Sequence, residues 1–190
     1  LSHNYLNNRN LKYRNNDDSS EDNLTLRLRS VEQKTTALFE NRTRLGQWTL
    51  KEGAELTNSG YTNNTDSPFS LYKTSLNIIG WGAFFSSDYS TDNRFTLSAG
   101  IRVDGNNYNR GMKQLWKQLS PHLSASYKLS EQWILNGSAG LYHQLPPYTA
   151  LGFKQDGVLV NEALDYLRVG MFSVGSGWRL RDRLVVSVEG

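Results

Sequence analysis

Apolar and polar residues alternate at period two through most of this chain, its connections alternate between short and long, and three of its five tryptophans gather beside the short ones. Together these features predict an all-β fold, an up-and-down antiparallel transmembrane β-barrel of which about eight or nine strands are present. Alternation at period two is the mark of a strand with one apolar face. The clearest example is the stretch 119–141. Leu119, Pro121, Leu123, Ala125, Tyr127 and Leu129 fall on one parity, with Ser120, His122, Ser124, Ser126 and Lys128 on the other. After Ser130-Glu131, Trp133, Leu135, Gly137, Ala139 and Leu141 take one face, and Gln132, Asn136 and Ser138 the other. Two such runs across a tight polar turn form a hairpin.

Composition narrows the function classes. The chain has 190 residues, enough for one domain. Hydrophobic residues make up 37%, and with 16 Gly added the total is compatible with a packed fold. There is no cysteine, so neither a disulfide framework nor a thiolate metal site exists. Net charge is +3, but the basic residues are scattered along strands, which argues against a nucleic-acid footprint. No apolar run approaches the ~20 residues of a membrane helix. A membrane barrel stays open, because its strands are only half apolar. Leu1-Ser2-His3 lacks the features of a natural start, and the last residues, Val186-Ser187-Val188-Glu189-Gly190, fall inside a strand pattern. The expectation is a fragment, residues 1–190, of a single barrel domain.

In chain order, residues 1–14 alternate weakly and form one strand, and 15–22 are an acidic loop. Residues 23–45 form one long strand with a bulge, or two short ones. The bulge accounts for a parity switch between Leu24, Leu26, Leu28 and Ala37, Phe39. Gly46-Gln47 is a turn. Trp48, Leu50, Ala54 and Leu56 then share a face that Glu52 interrupts without evident reason. Residues 58–73 read as a long polar loop, 74–86 as a strand, 87–93 as a turn and 95–104 as a strand. A second long loop covers 105–118. After the hairpin, a third covers 143–164 and contains Pro146-Pro147. Residues 165–178 form a strand, 179–182 a turn, and a last strand starts near Arg183.

In a meander, every second connection lies at the same end. One end therefore carries the turns at 46–47, 87–93, 130–131 and 179–182, and the other the loops at 58–73, 105–118 and 143–164. Outer-membrane barrels have this asymmetry. Trp48, Trp133 and Trp178 lie beside the tight turns, with Tyr127 close to the same level. They are the candidate membrane-interface aromatics. The opposite face is polar and suits a wet lumen. Open strand edges cannot face lipid, so the barrel must close.

No catalytic constellation is present. The histidines are His3, His122 and His143; His143 with Asp156 is the only hydrolytic pairing to consider, and a hydrogen-bonding role for His143 outweighs it. No metal site and no cofactor are expected. Tyr142, His143, Gln144, Tyr148 and Phe153 are the ligand-binding candidates, because they sit where a strand runs out into the longest loop. In the competing reading Tyr142 belongs to an outer aromatic girdle and Pro146-Pro147 only stiffens the exit. Tyr61, Phe69, Tyr72, Tyr108 and Trp116 are further loop aromatics that stack on a ligand or pack together. Arg27, Arg29, Arg42, Arg44, Lys51 and Arg102 would line a lumen in a barrel, or a solvated face in a soluble sandwich. Gly175-Ser176-Gly177, with no helix after it, allows close packing and is no phosphate cradle.

Leu97-Ser98-Ala99-Gly100-Ile101-Arg102-Val103-Asp104, followed by Leu119-Ser120-Pro121-His122-Leu123-Ser124-Ala125-Ser126-Tyr127, resembles the "aGlR.D … lsPRlslsY" passage of TonB-dependent outer-membrane receptors. Leu141-Tyr142-His143-Gln144-Leu145-Pro146-Pro147-Tyr148 is similar to their "G.Y.Q.P.y" segment. His122 stands where the family often has Arg. The resemblance covers roughly residues 35–190. It implies the middle portion of a 22-stranded barrel in the outer membrane of a Gram-negative bacterium. It also implies a plug domain elsewhere in the full-length chain, contact with the TonB complex through that absent part, and contact with outer-membrane lipid. The implied activity is non-enzymatic import of a small scarce nutrient: a ferric siderophore, vitamin or oligosaccharide. A passive porin-type channel and a soluble β-sandwich binding module are the alternatives.

Overall fold

The structure, a computed structural model, describes residues 1–67, 70–91, 94–155, 157–179 and 185–190. Its strands are β1 (Ser2–Tyr13), β2 (Leu24–Leu45), β3 (Trp48–Ser67), β4 (Ser70–Thr91), β5 (Phe95–Asn106), β6 (Leu119–Lys128), β7 (Trp133–Gln144), β8 (Lys154–Gln155), β9 (Val158–Leu159), β10 (Leu167–Arg179) and β11 (Val185–Glu189). Nine of them form one sheet in the order β1-β2-β3-β4-β5-β6-β7-β10-β11, each paired antiparallel with its neighbour. β8 and β9 make a separate small hairpin inside the β7–β10 connection, after the single helical turn α1 (Tyr148–Leu151). The expected meander and the hairpin at 119–144 are both present.

The tight turns have local causes. Gly46 has φ +60°, a left-handed conformation that suits the first central position of a two-residue hairpin and that a side chain would strain. At the β6–β7 turn, the Ser130 hydroxyl accepts the backbone N–H groups of Gln132 (3.2 Å) and Trp133 (3.1 Å).

The described residues of 58–73 are strand and not the expected loop. β3 and β4 pair without a register shift from Trp48↔Tyr89 to Ser67↔Ser70. The expected turn at 87–93 is also strand as far as Thr91, and residues 92 and 93 lie outside the described part. The reason is visible in the faces. Loops fold over one side of the sheet, where Tyr61, Leu76 and Ile78 are buried; this is the inner face. On the other, outer face, apolar side chains run up β3 and β4 only as far as Leu56 and Ile79. Above them Asn58, Gly60, Thr62 and Asn77, Ser75, Lys73 follow. The apolar alternation stops there, but the backbone ladder continues.

The same effect accounts for the parity switch in β2 without a bulge between Leu28 and Ala37. From Arg27↔Asp66 to Leu45↔Trp48 its register against β3 is unbroken. β2 does bulge, but at its start: between Lys12↔Leu26 and Tyr13↔Leu24 the extra residue is Thr25, well before the parity switch. Ala37 and Phe39 point outward within the apolar band, whereas Leu26 and Leu28 point inward at the far end, and Leu24 lies past the irregularity, opposite Tyr13. The apolar residues change faces because the surroundings of the strand change along its length. Glu52 also gains a partner: Asn41, directly opposite on the outer face, donates its amide to the carboxylate at 3.2 Å.

The outer band has a lower edge of rings. Trp48, Tyr89, Phe95, Tyr127, Trp133 and Trp178 lie on six consecutive strands at the short-turn end, all outward by the pairing. Trp48 lies 4.6 Å from Tyr89, Phe95 6.5 Å from Tyr127, and Trp133 6.4 Å from Trp178. Above this row, Phe39, Leu56, Phe85, Ile101, Leu123, Leu135 and Phe172 are all well exposed.

Candidate functional site

The inner face is polar where the outer is apolar. Near the tight turns Lys51 pairs with Asp88 at 3.3 Å, and Ser98 donates to the same carboxylate. Higher up, Arg102 is held from two strands. Its Nε donates to both Asp104 oxygens (3.0 and 2.9 Å), and its Nη2 reaches Asp104 Oδ1 (2.7 Å) and Glu55 Oε2 (3.1 Å). Residues two apart on a strand share a face, which places Asp104 under the Arg102 guanidinium, and β3 brings Glu55 from the other side. A planar fork between two carboxylates is fixed in orientation as well as paired.

His143 joins this row. Regular β6–β7 pairing is described up to His122↔Gly140. Beyond it, His143 Nδ1 lies 3.0 Å from the Ser120 hydroxyl, which is buried on the inner side next to Arg102. A cavity of about 260 Å³ follows, lined by Glu55, Arg102, Asp104, His143, Gln144 and Tyr148 among others. A second, of about 380 Å³, is lined by Phe84, Arg102, Ser120, His122, Tyr142 and His143. Tyr142 lies over Gly140 on the inner face, apart from the outer row of rings. His122 lies over the Gly100 position on the neighbouring strand, its ring filling the space that a side chain there would take.

The ceiling of the site is built from three connections. Tyr61, Leu76, Ile78, Met112 and Leu151 form a buried cluster, with Tyr108, Leu145, Tyr148, Leu164 and Tyr166 packed against it. Hydrogen bonds tie the loops together. Tyr108 donates to Leu151 O (2.7 Å) and Asn161 O (3.1 Å), and Tyr72 to Gly152 O (2.7 Å). Asn109 donates to Glu162 O and Leu164 O, and the buried Asn106 donates to the Tyr166 hydroxyl at 2.9 Å. Burial pushes the Tyr108 and Tyr166 phenols above their usual value.

The sequence-derived ligand candidates therefore divide. His143, Gln144 and Tyr148 meet around the first cavity, and Tyr142 and His143 around the second. Tyr148 also stacks on Tyr61 at 5.9 Å, and Phe153 packs on Tyr72 at 6.3 Å. The loop aromatics Tyr61, Tyr72 and Tyr108 are engaged in this packing, while Trp116 is exposed. Phe69 and Asp156 lie outside the described residues. Gly177 has open space where a side chain would project, so strand packing does not require it to be glycine. Arg42, Arg44, Lys51 and Arg102 are on the inner face as expected of lumen residues. Arg27 and Arg29 are not: they pair with Asp66 and Asn64 on the outer side. Sequence reading missed Glu55, Asp104 and Ser120 as partners, and Tyr89 and Phe95 in the ring row.

A one-sided apolar band, a polar interior and loops folded over one end define a section of transmembrane β-barrel wall. The chain belongs to the family described as TonB dependent receptor-like, beta-barrel, which it matches over residues 1–177. The match includes the first strands, beyond the stretch that carries the motif resemblance. Among solved structures it is similar to the copper transporter OprC, with TM-score 0.72 and 13% identity over 98% of this chain. The chain spans 34% of that protein's length. No curated protein sequence matches it.

Proposed function

We propose that this chain is barrel wall of an outer-membrane receptor in a Gram-negative bacterium. The receptor takes up a scarce small-molecule nutrient (a ferric siderophore, vitamin or oligosaccharide) with energy delivered by the TonB system through a plug domain of the same full-length chain. The wall itself has no enzymatic step. Trp48, Tyr127, Trp133 and Trp178, together with Tyr89 and Phe95, form the periplasmic-side interface girdle. Tyr142, His143, Gln144, Tyr148 and Phe153 form the ligand-facing exit of β7. The observation that carries this reading is the polar row Glu55–Arg102–Asp104–Ser120–His143 opening into a cavity directly beneath the interlocked loops. A ligand entering past those loops meets oriented donors and acceptors first. Copper, named for the structural neighbour, is not carried over, since 13% identity transfers a fold and not a cargo.

The test is uptake by cells carrying the full-length receptor, using labelled ferric siderophores, a corrinoid vitamin and maltooligosaccharides as probes. Accumulation of one class is expected, and it is expected to stop when TonB is deleted. The double variant H143A/Q144A should weaken binding of that probe about fivefold or more, the scale of one or two lost polar contacts. Uptake that persists without TonB would make the barrel a passive pore instead.

A further inference from the structure

Above the apolar band the outer face carries a basic cleft that the import function does not use. Arg9 of β1 lies directly opposite Arg29 of β2, and Arg27 lies one outward position beyond. With Asn7, these three arginines line a cleft of about 500 Å³. Like charges directly opposed across a sheet repel. Among the described residues the ion pair within this group is Arg27–Glu21 at 3.4 Å, on exposed side chains, and no described carboxylate lies within ion-pair distance of Arg9 or Arg29. On the same face, Lys73 adds positive charge against the carboxylate of Asp66 opposite Arg27, and Asn64 and Thr62 offer amide and hydroxyl groups.

We infer that Arg9, Arg27 and Arg29 bind the phosphate of a phosphorylated glycolipid in the outer leaflet. The guanidinium fork matches phosphate oxygens in pairs, and an anion between Arg9 and Arg29 turns their repulsion into attraction. Height selects the source of the phosphate. Arg29 lies eight residues beyond Ala37, where the continuous apolar band ends on β2; of the outward residues between them, Thr35, Gln33 and Val31, only Val31 is apolar. At about 3.3 Å per residue and a tilt of ~45°, the cleft stands ~19 Å above the band's edge. The headgroup layer of an ordinary bilayer is only about 5–7 Å deep on each side. A phosphate that reaches the cleft must therefore ride on a tall, sugar-bearing headgroup, for which the Asn and Thr side chains provide partners.

The inference rests on the outer-membrane reading, and one experiment separates the two. The full-length receptor and its R9Q/R29Q variant are extracted in mild detergent, and co-purified lipid is quantified by mass spectrometry. Each is then offered phosphorylated lipopolysaccharide, the same glycolipid dephosphorylated, or phosphatidylglycerol. The wild type should retain the phosphorylated glycolipid at least about tenfold more than the other two lipids, and the variant should lose that preference. Heat-modifiable migration of both proteins shows that the barrel is folded. A folded variant that retains as much glycolipid as wild type overturns the cleft, as does equal retention of the dephosphorylated form or of phosphatidylglycerol. A wild-type protein recovered outside the membrane fraction overturns the outer-membrane reading and this inference with it.

Discussion

Glu52 is an acidic residue on a face that is otherwise apolar, and its only described hydrogen bond is the amide of Asn41 across the β2–β3 ladder. In water that bond would matter little. On a lipid-facing wall the carboxylate has no solvent to fall back on, and an acidic group there costs up to a few kcal/mol. Glu52→Leu should therefore stabilise the full-length barrel in lipid by about 1–2 kcal/mol, read as a higher urea midpoint in vesicles. Asn41→Ala should lower it. No gain from Glu52→Leu would mean that position 52 is wet. Arg102, by contrast, was legible in sequence only as a charge on a strand. Its clamp between Asp104 and Glu55 depends on which strands become neighbours, and residues 47 apart in sequence give no local signal of that.

The elements were read best where lipid and ladder end together. The β6–β7 hairpin is such a case: its outer apolar residues and its pairing stop at nearly the same places. β3 and β4 are the opposite case. Alternation there records contact with lipid, so it ceases at Leu56 and Ile79 although the hairpin runs on to Ser67 and Ser70. The Asn-, Thr- and Ser-rich outer positions that looked like a loop are strand in water. Tyr89 and Phe95 were missed for a related reason, because strand continued into an expected turn. The loop assembly was invisible in sequence, since its Asn and Tyr bonds join residues up to 80 apart. Its integrity should depend on pH in one direction. Burial raises the Tyr108 and Tyr166 phenols in the folded state. Their stabilisation is complete below the unfolded phenol value near 10 and is lost as pH rises through the higher folded value. Amide exchange in residues 148–166 should stay protected from neutral pH to about 10 and accelerate above it. Tyr108→Phe should weaken that protection already at neutral pH, while β5 to β7 are unchanged. Protection that declines on the acidic side would contradict this assignment.

At the scale of the whole molecule, the asymmetry of tight turns at one end and long extensions at the other was present in the spacing of polar and apolar residues alone. The structure sharpened its meaning. The extensions are partly paired sheet that stands well above the lipid, with an inner face roofed by interlocked loops and an outer face that turns basic. The central claim is that the two faces of the wall meet different solvents, lipid outside and water inside. These 190 residues contain no cysteine, so once any cysteine elsewhere in the full-length receptor is replaced by serine the claim is directly measurable. Single cysteines are placed in turn at positions 135 to 140 of β7 in the full-length receptor, in intact outer membranes, and treated with a membrane-impermeant maleimide. Labelling should alternate: Asn136, Ser138 and Gly140 reactive, Leu135, Gly137 and Ala139 protected, with the protected set becoming reactive to a lipid-soluble maleimide. Uniform labelling along β7, or alternation in the opposite phase, would contradict the account.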